Sequence, residues 1–558
     1  MFFDMTDFLS CFNLIALLFF AALVPAALYR EFRFGVVERN DTFTGGRALV
    51  MVIFFAALIM RLWGFGLIPG GVNQDGVMAA VDGKALADYG TDRFGTPWPA
   101  HLYAWGYGQM SSLLSYLIAL FVRFFGLSTV TMRLPQLLVS MMGAVCFYLF
   151  VRDSFGRRAG LIAAALVAIN PWHMLQSRWA LDCNLLPHFF MAGLYFLNRG
   201  LSGRRVWLYV SMVCFGLCMY CYGIALYTVS PFLLFLGLYL VLKKRLSLRE
   251  LLLCGGVWLL VSWPFLLTMA INYFKWDTIS LPFVTLQYFP GSVRSNDILF
   301  FSGDFFNQLS ANVKSFVNVV ILQEKDLPWN DMAGFGTMYK FAIPLAVPGL
   351  FALIKTRDSG RALALAGLFA GIFAGIATNG VNINRVNLVF YFVLLLIVLG
   401  LDFVISRVRN FTLPTAAVFA LAACLMTVSY FGDYAENVEY YFYKGFGEAL
   451  EAAEKSGVDI IYVTADAQAE GYAHVSEILT MFYDGTDAEY YQGKSDVNHG
   501  KKLLPYAQRF RYISMDENSP ALAGGSVAFV IKTSDAQYFT GDWNIEFFDG
   551  YACALPVF

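Results

Sequence analysis

The chain has 558 residues, of which 58% are hydrophobic, 17% aromatic and only 14% charged, with a formal net charge of −1. A soluble chain is nearer a quarter charged, so the composition excludes a soluble globular protein and implies a polytopic membrane protein. No basic stripe or zinc-spaced cluster argues for nucleic acid.

A bilayer crossing takes about 20 mostly apolar residues, and candidate spans lie at about 8–29, 48–68, 132–151, 159–176, 184–199, 206–219, 222–242, 251–271, 341–355, 362–378, 388–406 and 411–430. The N-terminus lacks the basic region of a cleaved signal, so the first span reads as retained. The run 109–126 carries Arg123 and either spans or lies along the surface. One set of short connections holds Arg30, Arg33, Arg39 and Arg47; Arg152, Arg157 and Arg158; Arg199, Arg204 and Arg205; Lys243, Lys244, Arg245 and Arg249; Lys355, Arg357 and Arg361; and Arg407 and Arg409. Such basic loops are expected to be cytoplasmic. The connections at about 69–131, 177–183, 272–340 and 379–387 then lie outside, with the N-terminus and everything after about 431. This layout requires that 109–126 does not span.

Three parts are expected: an extra helix and loop over 1–47, a membrane module over 48–432, and an extracytoplasmic α/β domain over 433–558. In the last, Gly445 to Ser456 and Ala473 to Phe482 read as helices, and the runs 459–464, 526–532 and 544–548 as strands. The nine cysteines lie mostly in apolar segments, so no disulfide framework is expected, and Cys218 and Cys221 read as packing.

The chemistry-bearing residues collect in the outer connections. Pro69-Gly70-Gly71 stops a helix, and Asn73 or Asp75 can cap the next, whose first-turn amides favour negative charge. Asp75 is therefore either an N-cap or a functional carboxylate. Asp82, seven residues on, shares its helix face. Asp182 lies in another outer connection and either faces the same cleft or pairs with Arg178. A carboxylate near lipid needs a partner or a wet cavity. One of the pair can serve as general base while the other orients substrate or a metal. Arg385, within Asn379-Gly380-Val381-Asn382-Ile383-Asn384-Arg385-Val386-Asn387, has the forked donors that suit phosphate; snorkelling is its alternative. Arg294 and His101 are further phosphate candidates, and Asn73, Asp82 and Asn384 are candidates for substrate contact. Trp98, Trp105, Trp172, Trp179 and Trp329 read as interface anchors or sugar-stacking platforms. His173 and His188 lack a metal spacing and read as packing. No nucleotide-binding glycine loop is present, so a lipid-linked donor fits an outward site.

In order and spacing, four stretches resemble the GT-C membrane glycosyltransferases of the protein O-mannosyltransferase and aminoarabinose transferase group. They are Asn73-Gln74-Asp75-Gly76, Gly126 to Pro135 with Arg133-Leu134-Pro135, Phe155 to Arg178 with Asn170-Pro171-Trp172, and Leu181-Asp182-Cys183-Asn184. The resemblance is best over about 45–270. It implies a GT-C-like module of about 12 transmembrane helices, a polyprenyl-phosphate-linked sugar donor and an extracytoplasmic site. It implies inverting transfer to a protein, lipid or glycan acceptor, with a divalent cation (Mg or Mn) held by Asp75 and Asp182, and Asp75 near the acceptor. Gly76 departs from the group's usual second acid. Thr96-Pro97-Trp98-Pro99-Ala100-His101 stands where the group has Lys-Pro or His-Pro-Pro. A transporter or flippase of lipid-linked sugars is the rival reading, but it calls for repeats and midplane helix breaks that are not seen. A non-catalytic cell-envelope assembly protein is the third.

Overall fold

The computed structural model describes residues 5–34, 46–104, 108–290, 299, 303–324, 326–356, 359–465 and 473–557. The apolar runs form helices because a backbone in lipid must satisfy its own hydrogen bonds. Among the described residues, six helices have the length and apolarity of a crossing: Phe8–Arg33, Thr129–Phe155, Ala225–Leu242, Leu248–Phe274, Ile383–Arg407 and Thr412–Glu439. The expected span 362–378 falls on the 18-residue helix Ser359–Ile376 and the others on shorter or broken helices, so six crossings are supported by length and apolarity and the expected count of about twelve is not confirmed. Gly46–Leu62 and Leu186–Ser202 have 17 residues each, and Val206–Cys218 has 13. The expected span 159–176 is cut where Asn170 caps a new helix opened by Pro171. In the span 341–355, Pro344 lies in a 3-10 turn, Lys340–Leu345, that precedes Ala346–Lys355.

The run 109–126 becomes the 13-residue helix Leu113–Phe125. At 1.5 Å per residue it is about 20 Å long, short of the hydrocarbon thickness of about 30 Å. It buries Leu114, Ile118 and Val122 and exposes Leu120, Phe124 and Phe125.

The core surrounds one helix. Every residue from Phe390 to Val404 is buried, as an all-round apolar helix requires. Ala346–Lys355 packs closely along it, and two glycines make this possible. A Cβ on Gly349 would meet the Leu396 carbonyl, and one on Gly400 the Leu345 carbonyl.

The basic connections gather at one end of the bundle. Glu31 takes Arg407 at 2.5 Å and Lys355 at 3.0 Å. Arg158 pairs with Asp402 at 2.6 Å, and Arg205 reaches the Arg245 carbonyl at 3.4 Å. At the other end lie the first loop, part of the 272–340 connection and the tail. The last long helix runs on to Glu439, and the tail's own elements begin with Phe446–Lys455.

The tail is a small α/β unit, as expected. Helices Phe446–Lys455 and Ala473–Asp484 and strands Ile460–Thr464, Val527–Lys532 and Trp543–Phe548 fall where the sequence pattern places them. In the five-stranded sheet Val527–Lys532 is central, and Ile460–Thr464 runs parallel to it on one side and to the edge strand Phe510–Ile513 on the other. Tyr551–Pro556 lies antiparallel to Val527–Lys532 and Trp543–Phe548. Phe510–Ile513 and Tyr551–Pro556 were not anticipated, the first being four residues long and the second poor in β-branched residues. Helix Ala473–Asp484 packs on the first-loop helix Gln74–Tyr89. Tyr89 donates to Asp487 at 2.8 Å and Gln492 to the Arg93 carbonyl at 3.0 Å.

Candidate functional site

Two buried arginines set the approach to Asp75. Arg133, from the Arg-Leu-Pro stretch, donates to the carbonyls of Pro69 at 3.2 Å and Gly71 at 2.7 Å. Arg178 donates to Ile68 at 2.9 Å, to the carbonyls of Met60 and Arg61, and to the Tyr430 hydroxyl at 2.9 Å. Both guanidiniums are thus satisfied largely by carbonyls, which a buried cation requires. The chain leaves this cradle at Asn73, whose side chain accepts from the Asp75 amide at 3.0 Å and caps Gln74–Tyr89. The cap is therefore Asn73, and the half-buried Asp75 stands in the first turn.

Gly76 brings this helix against the second acidic connection. A Cβ there would sit 2.6 Å from the Ala180 carbonyl oxygen and 3.3 Å from the Ala180 methyl. The position has no room for the second acid of the related group. Two residues beyond Ala180, half-buried Asp182 opens the short turn Asp182–Leu185 and accepts from the Cys183 amide at 2.7 Å. Burial pushes the Cys183 thiol well up, and the carboxylates of Asp182 and Asp75 both push it further. The contact of Gly76 with Ala180 thus sets the connections that carry Asp75 and Asp182 side by side.

The polar hinge closes the other side. Ile383–Val386 packs on Asp182–Leu185, and Asn387 ties the two together. Its amide donates to Asn184 Oδ1 at 3.0 Å and to the Cys183 carbonyl at 3.4 Å. It accepts from Trp172 at 2.7 Å and from Gln176. Gln136 donates to the Asn184 carbonyl at 3.3 Å. Half-buried Arg385 folds over Gly380, its Nη1 3.1 Å from where a Cβ there would lie. Asn384 carries a buried Oδ1 with no partner among the described residues, an acceptor suited to a ligand hydroxyl.

The other sequence candidates lie apart from this group. Asp82 is fully buried and ion-paired to Arg93 at 2.5 Å, while Arg93 also donates to the Tyr103 carbonyl at 2.9 Å. Burial holds Asp82 up at about 6 against the pull of Arg93, and the pair braces the first loop. His101 is buried edge-on to Phe265 and Phe289, and burial pushes its pKa down to about 4. Burial thus favours its uncharged form, which lacks the charge that a phosphate partner would call for. Arg294 falls outside the described residues. Trp172 and Trp179 are buried to 1% exposure, so they pack in the interior and are not interface anchors. His173 and His188 are interior too, bonded to Arg61 and Tyr391.

Among the described residues, no group of three or more His, Cys, Asp or Glu could hold a metal ion. A cation at Asp75 and Asp182 would take most of its ligands from water and substrate, as Mg²⁺ commonly does.

Residues 111–268 match a family model described as dolichyl-phosphate-mannose-protein mannosyltransferase. No curated protein sequence matches the chain. Two crystal structures of ArnT from Cupriavidus metallidurans, one apo and one bound to undecaprenyl phosphate, align with a TM-score of 0.56 at 13% identity. The alignments cover 91% of this chain and 97% and 98% of those chains. The chain has the GT-C fold seen in ArnT. Archaeal AglB from Archaeoglobus fulgidus, in complex with an inhibitory peptide and a dolichol-phosphate, aligns more loosely, with a TM-score of 0.45 and 14% identity over 78% of this chain and 63% of that one.

Within this GT-C fold, the sequence reading missed Cys183, Asn387 and Tyr443. Asn387 stood in the polar hinge, and its neighbours Trp172 and Asn184 stood in the matching stretches, so a signal existed. Tyr443 had none. It donates to Gln74 Oε1 at 2.7 Å, one residue before Asp75, and Asp75 in turn helps to raise its phenol, after burial and Tyr551.

Proposed function

We propose that the chain is a glycosyltransferase that moves a sugar, with inversion, from a polyprenyl-phosphate donor to a hydroxyl-bearing protein, lipid or glycan acceptor. The observation that carries this reading is the packing of Gly76 on the Ala180 carbonyl, which brings the connections of Asp75 and Asp182 together beside the hinge that bears Arg385. The GT-C fold supports it, as does the undecaprenyl phosphate named in one ArnT structure.

In the proposed reaction, the Asp75 carboxylate takes the proton of the acceptor hydroxyl as its oxygen bonds to the anomeric carbon. The bond from that carbon to the phosphate oxygen breaks, and the electron pair leaves on polyprenyl phosphate. A base so placed is typically worth about 10²–10⁴-fold. The phosphate is a fair leaving group and needs charge stabilisation more than a proton, which falls to Arg385. Asp182 orients the acceptor or sugar, and Asn384 Oδ1 accepts from a sugar hydroxyl. A divalent cation, when bound at Asp75 and Asp182, would offset charge on the departing phosphate.

The basic connections gathered at one end of the bundle support a cytoplasmic assignment for that end. The carboxylates and the tail are then extracytoplasmic. A polar cleft of about 350 Å³ lies between Lys84 and Tyr89 of the first loop and Asp487, Asn498 and His499 of the tail, at the end of the first-loop helix away from Asp75.

The test is sugar release from a lipid-linked donor in proteoliposomes. Asp75→Asn keeps the shape and removes the proton acceptor. Turnover is expected to fall at least about 100-fold with donor affinity within several-fold. A folded variant that keeps most of its activity would show that Asp75 is not the base.

A further inference from the structure

We infer that Tyr443 is a positioning residue for Asp75, held in a strap from Glu439 to Gly445 that ties the carboxylate's loop to the tail. The inference rests on the transfer reading above, in which Asp75 acts as base.

Tyr443 is 4% exposed and its φ is +56°, in the left-handed region. A bulky aromatic residue is rarely found there, and such a conformation persists only where the surroundings over-determine it. Here they do so from two sides. Toward the site, the Tyr443 hydroxyl donates to Gln74 Oε1 at 2.7 Å. The Val72 amide donates to the Phe442 carbonyl at 2.6 Å, and the Gly70 amide to Glu439 Oε1 at 3.2 Å. Gly71 meets the Phe442 carbonyl so closely that a side chain would collide with it. Toward the tail, Lys444 pairs with Glu439 at 2.7 Å and Asp549 at 3.7 Å. Gly445, also left-handed at φ +91°, lies against the Phe548 carbonyl.

The strap thus touches the run 70–74 on one side and the hairpin of Trp543–Phe548 and Tyr551–Pro556 on the other. Packing alone would not need a phenol hydroxyl aimed at the residue before Asp75. The hydroxyl fixes Gln74, which with the Asn73 cap determines where the first helical turn presents its carboxylate. A strap of this kind also means that displacement of the terminal hairpin reaches Asp75.

The test compares wild type with Tyr443→Phe and with Gln74→Ala, which removes the same bond from its acceptor side, in full-length protein in nanodiscs. Each variant is expected to lower kcat by at least about tenfold with donor KM within about twofold. Amide exchange over 72–77 should quicken while Phe390–Arg407 is unaffected. In an Asp75→Asn background, Tyr443→Phe should cost nothing more, because it acts through that carboxylate. Unchanged exchange over 72–77, an unchanged kcat, or an equal further loss in the Asp75→Asn background overturns the inference. Exchange that quickens as expected in a protein whose Asp75→Asn form is fully active leaves the strap standing and removes the base assignment instead.

Discussion

Substituting Gly76 separates site geometry from stability. Gly76→Ala puts a Cβ 2.6 Å from the Ala180 carbonyl oxygen, where side-chain contacts keep at least roughly 3.0 Å. The helix start or the Ala180–Asp182 connection must then give way by about 0.4 Å or more. On the stability side, alanine regains up to about 1 kcal/mol of helix propensity, and overpacking costs about 1–3 kcal/mol. The net is a destabilisation of roughly 0–3 kcal/mol. On the activity side, a misplacement of about 1 Å can cost roughly 100-fold, so half that distance implies roughly tenfold. Turnover should therefore fall by about tenfold in a protein whose melting temperature moves by only a few degrees. Gly76→Glu, which restores the acidic pair of the related group, should be worse still, because the longer side chain must pass the same carbonyl. Donor-dependent transfer in nanodiscs, read beside thermal unfolding of the same preparation, gives both quantities. A folded Gly76→Ala or Gly76→Glu protein with wild-type turnover would refute the close contact between the two acidic connections as the determinant of site geometry.

Other outcomes follow from particular groups. Arg385→Ala should weaken donor binding by about 10–100-fold, the worth of roughly 1.5–3 kcal/mol for a hydrogen bond to a charged group, and change kcat less; an unchanged donor KM would refute the phosphate role. In the tail, burial and then the neighbouring Asp484 carboxylate hold Glu454 up at about 8, from an ordinary 4.5. Because the folded value is the higher one, the stability this group contributes is full below about 4.5 and lost as pH rises through about 8. Thermal unfolding of wild type should fall across that window, and Glu454→Gln should flatten the fall; identical profiles would refute the assignment. For sidedness, a cysteine at Lys501 should react with an impermeant maleimide added outside and one at Lys244 should not; the reverse pattern would invert the topology.

The sequence by itself determined the class of protein, the six longest spans, and two helices and three strands of the tail. These depend on apolar length, helical period and capping, all of which are local. It also marked Asp75, Asp182 and the Asn-rich hinge, because polar side chains beside long apolar runs stand out against the cost of burying them. The tertiary structure decided what these residues meet. Helical spacing put Asp75 and Asp82 on one face, but only folding gave Asp82 to Arg93. Gly76 read as a missing acid until the Ala180 carbonyl was found in the space a side chain would need. The interior places of Trp172, Trp179 and His101 were equally illegible, since an aromatic ring at a span boundary has the same sequence signature whether it faces lipid or core. Tyr443 is the extreme case. Its left-handed backbone and its bond to Gln74 arise from chain segments far apart in sequence, and contacts between such segments leave no local pattern to read.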